Sequence, residues 1–528
     1  MKTRSFLLSV LAALMLAGCS EDAREDEIPG NVLVGKAYLS LSLQSRTSTL
    51  TRVDNVKTED GSAEESAVET VTVLLFDEDE MCLDVVNVPS GEITVGNSGG
   101  STPTTATASK AQLVPEKTKK VFVVLNSAKW TFTKEAVVGK AWSTINTAIE
   151  AVIGDVATNS KFVMASAGTK ANGALTPVTV HKPATYTASD VAAAKKAAED
   201  APATINVDRL SAKVQVSQAS GFTKPTGSNF TFNGWELSVT NKSVRLYSDL
   251  VTYDNATPGA VYRRDKNYLE SEQPDVSDNN TKEANMDAAF NYLKNIKNVS
   301  ENMPAVAQID NASLYCLENT MEAKAQQLGF TTKVVVKAQY TPDGITKDAN
   351  YFSWKGAYYT LEQLKAEYLK HSDGTGLKVD LPIFLIKAGV MSQAEFDEGQ
   401  DKRNEIVAGL SEGAAANQLN AKTGIIGRFC AVRYYHESVC YYDVLIRHDQ
   451  NITTKMALGR YGVVRNNWYN IELNSVSGPG TPWIPDPSDP DPTNPTPPDT
   501  DDDEADAYLS VKITINPWTY WSQGVDLH

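Results

Sequence analysis

Residues 36–43 read Lys36-Ala37-Tyr38-Leu39-Ser40-Leu41-Ser42-Leu43, and residues 507–515 read Ala507-Tyr508-Leu509-Ser510-Val511-Lys512-Ile513-Thr514-Ile515. In the first stretch Ala37, Leu39, Leu41 and Leu43 alternate with Tyr38, Ser40 and Ser42. A period of two puts the aliphatic side chains on one face of a half-buried strand and the others on the opposite face. In the second, Leu509, Val511, Ile513 and Ile515 alternate with Tyr508, Ser510, Lys512 and Thr514 in the same way. The apolar positions match one for one, and Ala37-Tyr38-Leu39-Ser40 is identical to Ala507-Tyr508-Leu509-Ser510. Two strands with one pattern fit one groove, so the pair predicts strand replacement: the first strand fills a groove until it is removed, and the second arrives from a neighbour. An open groove is a liability in a lone subunit, which gives the first strand a reason to stay until assembly. Such donor-strand complementation is β-augmentation. Tail-to-groove contact is heterologous and propagates as an open filament. The competing reading is coincidence, with each strand pairing inside its own chain.

The flanks fit the first reading. Residues 44–67 are polar and charged, a loop carrying Arg46 and Arg52, and such loops are where proteases act. Before the second strand, residues 479–498 hold nine of the 23 prolines and residues 499–506 hold six acids. The first composition favours extended polyproline II and the second repels itself, so neither packs a core. Together they predict a spacer of roughly 27 residues with a reach of up to about 80 Å.

Between the flanks, strands are expected at 68–76, 85–88, 120–126 and 204–218, with helical spacing at 141–153 and 189–199. That makes 53–220 a first, mainly β unit. A second unit, 221–477, has strands at 230–240, 332–340, 429–435, 439–447 and 461–473, and helices at 283–296, 361–370 and 392–410. The last helix opens with Ser392 and Glu395 at capping-box spacing. The fold class is therefore mainly β: two tandem units with short helices, a Pro/Asp-rich linker at 478–506 and a terminal strand at 507–528.

The extreme N-terminus reads as an address. Lys2 and Arg4 precede an apolar run at 6–16, too short to span a bilayer core of about 30 Å. Leu16-Ala17-Gly18-Cys19 then has the small residues before Cys that lipoprotein processing requires. Residues 1–18 would be the signal peptide, Cys19 the lipidated residue, and 19–52 a propeptide with the first strand. The alternative is an ordinary signal peptide that happens to contain a Cys. Several acyl chains on one residue give stable anchoring.

Composition excludes other classes. The chain has 528 residues, 49 Lys plus Arg against 65 Asp plus Glu, and a formal charge of -16, so it carries no basic footprint for nucleic acid. No long apolar run follows the signal. No P-loop, Gly-x-Ser-x-Gly elbow or dinucleotide fingerprint occurs, so neither an enzyme nor a cofactor is expected. The five His lack metal-site spacing, so no metal is expected, although the acids of 501–504 offer a weak calcium alternative. Cys430 and Cys440 flank a turn and could form a cross-strand disulfide or stay free. Tyr434, Tyr435, Tyr441, Tyr442 and Trp468 offer a glycan-stacking platform, against which core pairing in strands is the stronger reading.

The lipobox, the early strand with its Arg-bearing loop, Val207-Asp208-Arg209-Leu210-Ser211-Ala212-Lys213, Tyr461-Gly462-Val463-Val464-Arg465-Asn466 and the Pro/Asp-rich stretch ending in Tyr508…Pro517-Trp518 resemble Bacteroidales fimbrillins, the type V pilus subunits. The likeness is greatest to major subunits of short fimbriae. It implies two transthyretin-like β-sandwiches and a lipoprotein precursor at the outer membrane. It also implies cleavage after an Arg by a trypsin-like, Arg-specific cysteine protease, which removes lipid and first strand together. Distance from Tyr38 favours Arg52 over Arg46. The implied partners are identical subunits in a filament, with anchor and tip pilins. An anchor, accessory or tip subunit, or a glycan-binding surface lipoprotein, is the alternative.

Overall fold

The computed structural model describes residues 34–519 apart from 46–58, 61, 63–64, 66, 89–92, 96–104, 109, 128–129, 131, 148, 152, 159–160, 253–260, 296–311, 412–426, 429, 450, 492–496 and 505–508. Cys19, Arg46 and Arg52 lie outside the described residues. No helix among the described residues is long and apolar enough to cross a membrane.

The N-terminal unit is built from β1 (Lys36–Leu39), β2 (Leu41–Ser45), β4 (Val71–Phe76), β5 (Cys82–Val88), β6 (Ile93–Val95), β7 (Thr105–Ala108), β8 (Gln112–Pro115), β9 (Lys120–Leu125), β10 (Met164–Ser166), helix α1 (Ala188–Asp200) and β11 (Ala203–Arg209); the short β3 (Glu59–Asp60) between β2 and β4 pairs in the sheet of the other unit. Its main sheet runs β5-β4-β9-β10-β11-β2-β7-β6, and β1 pairs with β8. The alternation of β4 and β9 is buried on both faces. Val71, Val73, Leu75, Val121 and Val123 pack with Leu39, Leu41 and Leu43, whereas Leu74, Phe76, Phe122 and Val124 pack under Trp130, Trp142 and Ile145. The expected helix at 141–153 is broken: Trp142–Ile145 is one turn, and Ile149–Glu150 pairs instead with Ser243–Val244.

The expected strand at 204–218 is two strands. After β11 the chain passes Leu210 and enters β12 (Ser211–Thr223), which belongs to the next unit's sheet. The expected boundary at 220 therefore falls inside β12. The C-terminal unit continues with β13 (Asn229–Ser238), β14 (Ser313–Leu317), β15 (Lys333–Thr341), β16 (Tyr351–Trp354), β17 (Ala357–Tyr359), α2 (Leu361–Lys370), α3 (Leu377–Lys387), α4 (Gln393–Asp397), α5 (Gln400–Gly409), β18 (Val432–Tyr435), β19 (Val439–Leu445), β20 (Asn467–Val476) and β21 (Leu509–Thr519). The sheet β14-β12-β20-β21-β3 faces the sheet β13-β15-β19. Val214, Val216, Ile471 and Leu473 from one meet Trp235, Val334, Val336 and Tyr442 from the other.

A smaller module hangs on this sandwich: the sheet β17-β16-β18 with α2 to α5, around its own core of Trp354, Leu364, Tyr368, Leu381 and Phe384. The expected helix at 392–410 divides at Gly399, whose φ of 113 suits only glycine. The Ser392/Glu395 capping box is present.

Candidate functional site

The N-terminal strand sits in a slot of its own chain. β2 runs parallel to β11, from Leu41 opposite Ala203 to Ser45 opposite Val207. On its other side it runs antiparallel to β7, from Ser42 opposite Thr107 to Gln44 opposite Thr105. Ala37, Leu39, Leu41 and Leu43 are buried as expected. The opposite face is not solvated: Tyr38, Ser40 and Ser42 are buried too. Tyr38 packs on Ala194 and Ala198 of α1 and exchanges backbone hydrogen bonds with His181 at 2.8 Å. Period two reports which residues share a face, but here both faces are covered. Burying each aliphatic side chain is worth about 1.5–3 kcal/mol, so taking β1 and β2 away would leave an apolar groove between β11 and β7.

The C-terminal strand also has a place, which corrects the expectation of an isolated strand on a free tether. β21 lies antiparallel to β20, from Asn467 opposite Pro517 to Val476 opposite Leu509. Its outer edge is paired, among the described residues, only where Trp518 and Thr519 meet Glu59 and Asp60. Leu509 is buried and Val511 is half-buried against the sandwich core, while Ser510 and Lys512 are exposed. Ile513 and Ile515 are known by backbone register alone, opposite Ile471 and Tyr469.

The Pro/Asp-rich stretch is a strap rather than a loose spacer. Proline cannot donate a backbone hydrogen bond, but its carbonyl and those around it still accept. Gly478 O and Gly480 O each accept from a tyrosine hydroxyl, Tyr442 and Tyr435, at 3.0 Å. Lys333 Nζ reaches Pro485 O at 3.2 Å, and Ile484 pairs with the Asn295 amide. Trp483, Ile484 and Ser488 are buried. Further on, Pro498 O, Thr500 O and the Asp502 amide bond to Gly329, Leu328 and Gln326. A Cβ on Gly329 would meet Pro498 at 2.7 Å, so the close approach needs glycine.

Two acids of the strap, Asp502 and Asp503, have definite partners. Arg460 clamps Asp503, with Nε 2.9 Å from Oδ2 and Nη2 2.8 Å from Oδ1, and Tyr461 donates to Oδ1 at 2.8 Å. Burial alone would raise the Asp503 carboxyl, but Arg460 holds it below the usual range. Asp502 is buried beside Thr331 and is pushed up to about 8 by desolvation. No group of three or more candidate metal ligands occurs among the described residues.

Between the two terminal strands lies a buried ionic junction, assembled from the two motifs singled out in the sequence. Asn466 has a φ of 59, a left-handed conformation that asparagine tolerates. Its amide bonds Asp208 at 3.2 Å and accepts from the Arg209 backbone at 3.2 Å. Arg209 reaches back to Glu65 O at 2.9 Å, and Lys213 pairs with the Glu65 carboxylate at 2.8 Å while lying over the Trp468 ring. Asp208 binds Arg263. Arg465 binds Glu318 through Nε at 3.0 Å and the carbonyls of Arg245 and Leu246. Burial opposes ionisation of Glu318, yet Arg465 and Arg263 keep its carboxyl below the ordinary value. Nearby Asp265 forms no ion pair among the described residues, and desolvation, then Glu318, drives it up to about 8 against the weaker pull of Arg465. Sequence reading found the strings 207–213 and 461–466 but not Glu65, Arg263 or Glu318, whose pairing depends on tertiary approach.

Other candidates resolve simply. Cys430 and Cys440 are free thiols; the first packs in the helical module and the second in the sandwich core, so no bridge joins them. Tyr434, Tyr435, Tyr441 and Tyr442 are buried core residues and offer no exposed platform.

Residues 433–524 match the family model for the C-terminal part of fimbrillin, the major fimbrial subunit protein type IV. No curated protein sequence matches. Among solved structures, the chain is similar to a candidate cell adhesion protein from Parabacteroides distasonis ATCC 8503, with 14% identity, 92% of this chain and 99% of that one covered, and a TM-score of 0.44. It is similar to a fimbrilin, FimA, from Porphyromonas gingivalis W83, with 15% identity, coverage of 92% and 99%, and a TM-score of 0.37. It is also similar to the tip fimbrial protein Mfa3 from Porphyromonas gingivalis, with 12% identity, coverage of 92% and 100%, and a TM-score of 0.34.

Proposed function

We propose that this chain is a structural subunit of a cell-surface fimbria. The observation that carries the reading is the slot between β11 and β7, filled by the chain's own β2, which is followed in the sequence by Arg46 and Arg52. A strand just ahead of a cleavable loop is removable, and the slot it leaves suits a strand of the same apolar pattern. Leu509, Val511, Ile513 and Ile515 supply that pattern. The fimbrillin match over 433–524, which includes β20 and β21, supports the same reading.

In this scheme the precursor is a lipoprotein of the outer membrane carried on Cys19. An Arg-specific protease cuts after Arg52, or after Arg46, and takes away lipid, β1 and β2 together. β21 of a neighbour then enters beside β11. The partners are identical subunits, with anchor and tip pilins at the ends, and the role is structural and adhesive rather than catalytic. N-terminal sequencing of sheared surface filaments tests the scheme. The expected first residue is Val53, or Thr47 if Arg46 is used. Filaments whose subunits still begin at a lipidated Cys19 would sink it.

A further inference from the structure

We infer that the strap at 477–504 stays on its own subunit when the terminal strand leaves, so that Asp503 is the pivot from which β21 reaches its neighbour. The inference rests on the donor-strand reading and specifies how far the donor travels.

The chain is held very unequally on the two sides of Glu504. Before it, the strap supplies partners to buried groups: the Tyr435 and Tyr442 hydroxyls, Lys333 and Arg460. Trp483, Ile484, Ser488 and Asp502 are buried along it. Lifting it would take Asp503 from Arg460 and the carbonyl acceptors from two buried tyrosine hydroxyls, and would leave Lys333 with Asp443 alone; each loss of a buried partner is costly. After it, β21 is held by β20 along one edge and by two residues of β3 along the other. Ser510 and Lys512 face solvent, and only Leu509 among its described side chains is buried. A strand with one long partnered edge is the part that opens first.

The geometry then limits the donor. Six Cα steps separate Asp503 from Leu509 at the start of β21, and they span at most about 22 Å when fully extended. A loose spacer of the whole Pro/Asp-rich stretch would instead reach about 80 Å. The neighbour's slot must therefore begin close to Glu504, and subunit spacing is fixed by direct contact.

A disulfide across the strap tests this. Gln327 and Asp501 form an antiparallel bridge. The flanking bonds run from the Leu328 amide to Thr500 O at 3.0 Å and from the Asp502 amide to Gln326 O at 3.1 Å. The pair itself is thus of the non-hydrogen-bonded kind, with Cα atoms about 4.5 Å apart, within disulfide range. Processed full-length subunit carrying Gln327→Cys and Asp501→Cys is polymerised oxidised and reduced, and followed by light scattering and electron microscopy. The expected result is the same rate within twofold and the same axial repeat in both states. Stalling in the oxidised state, relieved by reductant, would overturn the pivot. Asp503→Asn is an independent arm: a loosened pivot should give an irregular axial repeat, and filaments indistinguishable from wild type would count against it. Val511→Asp separates the two levels. If it polymerises normally, the donor-strand reading falls and the pivot falls with it; if it is blocked while the oxidised double-Cys subunit stalls, the pivot alone is wrong.

Discussion

Glu318 is a carboxylate surrounded by protein, and its charge is tolerated because Arg465 and Arg263 stand against it. Removing one member of such a group leaves the rest buried and uncompensated, at a cost of about 3–5 kcal/mol. Glu318→Gln should lower the urea midpoint accordingly, and an unchanged midpoint would show that water reaches the junction. A second residue sets a pH dependence. His448 is buried, its Nδ1 lies 2.9 Å from the Tyr469 hydroxyl, and burial holds it down to about 4. Between the ordinary histidine value and that one, the unfolded chain takes a proton that the folded chain refuses. The His448 contribution to stability should fall by up to about 3 kcal/mol as pH drops from about 6.5 to about 4, with nothing further below that, while Asp265 and Asp502, pushed up to about 8, act in the opposite direction. His448→Gln should flatten that portion of the curve, measured as the wild-type minus variant difference in urea midpoint at pH 4.5 and 7. The sequence announced none of this. Arg465 and Asn466 were visible as part of a string, but Glu318 is 147 positions from Arg465 and carries no local signal.

Among the elements, period two was the most readable feature. It marked β4, β9, β11 and the faces of β21, because a strand's alternation is written in adjacent residues. It did not foresee that Ser40 and Ser42 would be buried, since a second covering layer is contributed by distant chain. Helix α3 was missed for a different reason: Pro382 lies inside it, and Leu377, Leu381, Phe384 and Leu385 leave it without a clear polar face. The strap was misjudged because composition counts missing donors and overlooks carbonyl acceptors. Its fit is tight at Gly480, where a Cβ would lie 2.1 Å from Tyr441 O. Gly480→Ala should therefore lift this end, costing about 1–3 kcal/mol, and should make 478–491 newly sensitive to limited proteolysis. The register of β21 also refines its own test. Lys512 stands opposite Glu472, so Lys512→Glu sets like charges face to face and weakens docking by about 0.2–1 kcal/mol. It should quicken entry into filaments, whereas Val511→Asp should stop it; equal failure of both in a polymerisation assay would mean that the apolar face is not what the neighbour receives.

At the scale of the molecule, the two-unit β organisation was legible, but the seam was not. The composition of Val207 to Val216 suits one strand, and the only mark of the seam is a one-residue slip, from Ile205 and Val207 to Leu210, Ala212, Val214 and Val216, where the sheets change hands. Deleting 505–528 should leave both units folded, because the facing sheets keep their shared core. It should lower the melting temperature by a few degrees, through loss of Leu509 and Val511 packing, and abolish polymerisation. Loss of the folded monomer would mean that β21 is indispensable to its own sandwich.

The shared run of β11 and β12 decides how a filament built this way would bear a pull. A donor seated beside β11 would draw on that strand, and the draw would pass along the covalent chain through Leu210 into β12. From there it crosses to β20, which runs parallel to β12 from Lys213 opposite Trp468 to Gln218 opposite Leu473, and leaves through the strap that follows Val476. One strand is tugged from its beginning and its parallel partner from its end. That is shear: the rungs of the ladder carry the tension together and would have to break together, whereas a hairpin tugged from its open ends unzips one rung at a time. The strand order thus gives the proposed fibre a stiff, late-yielding link at the centre of every subunit.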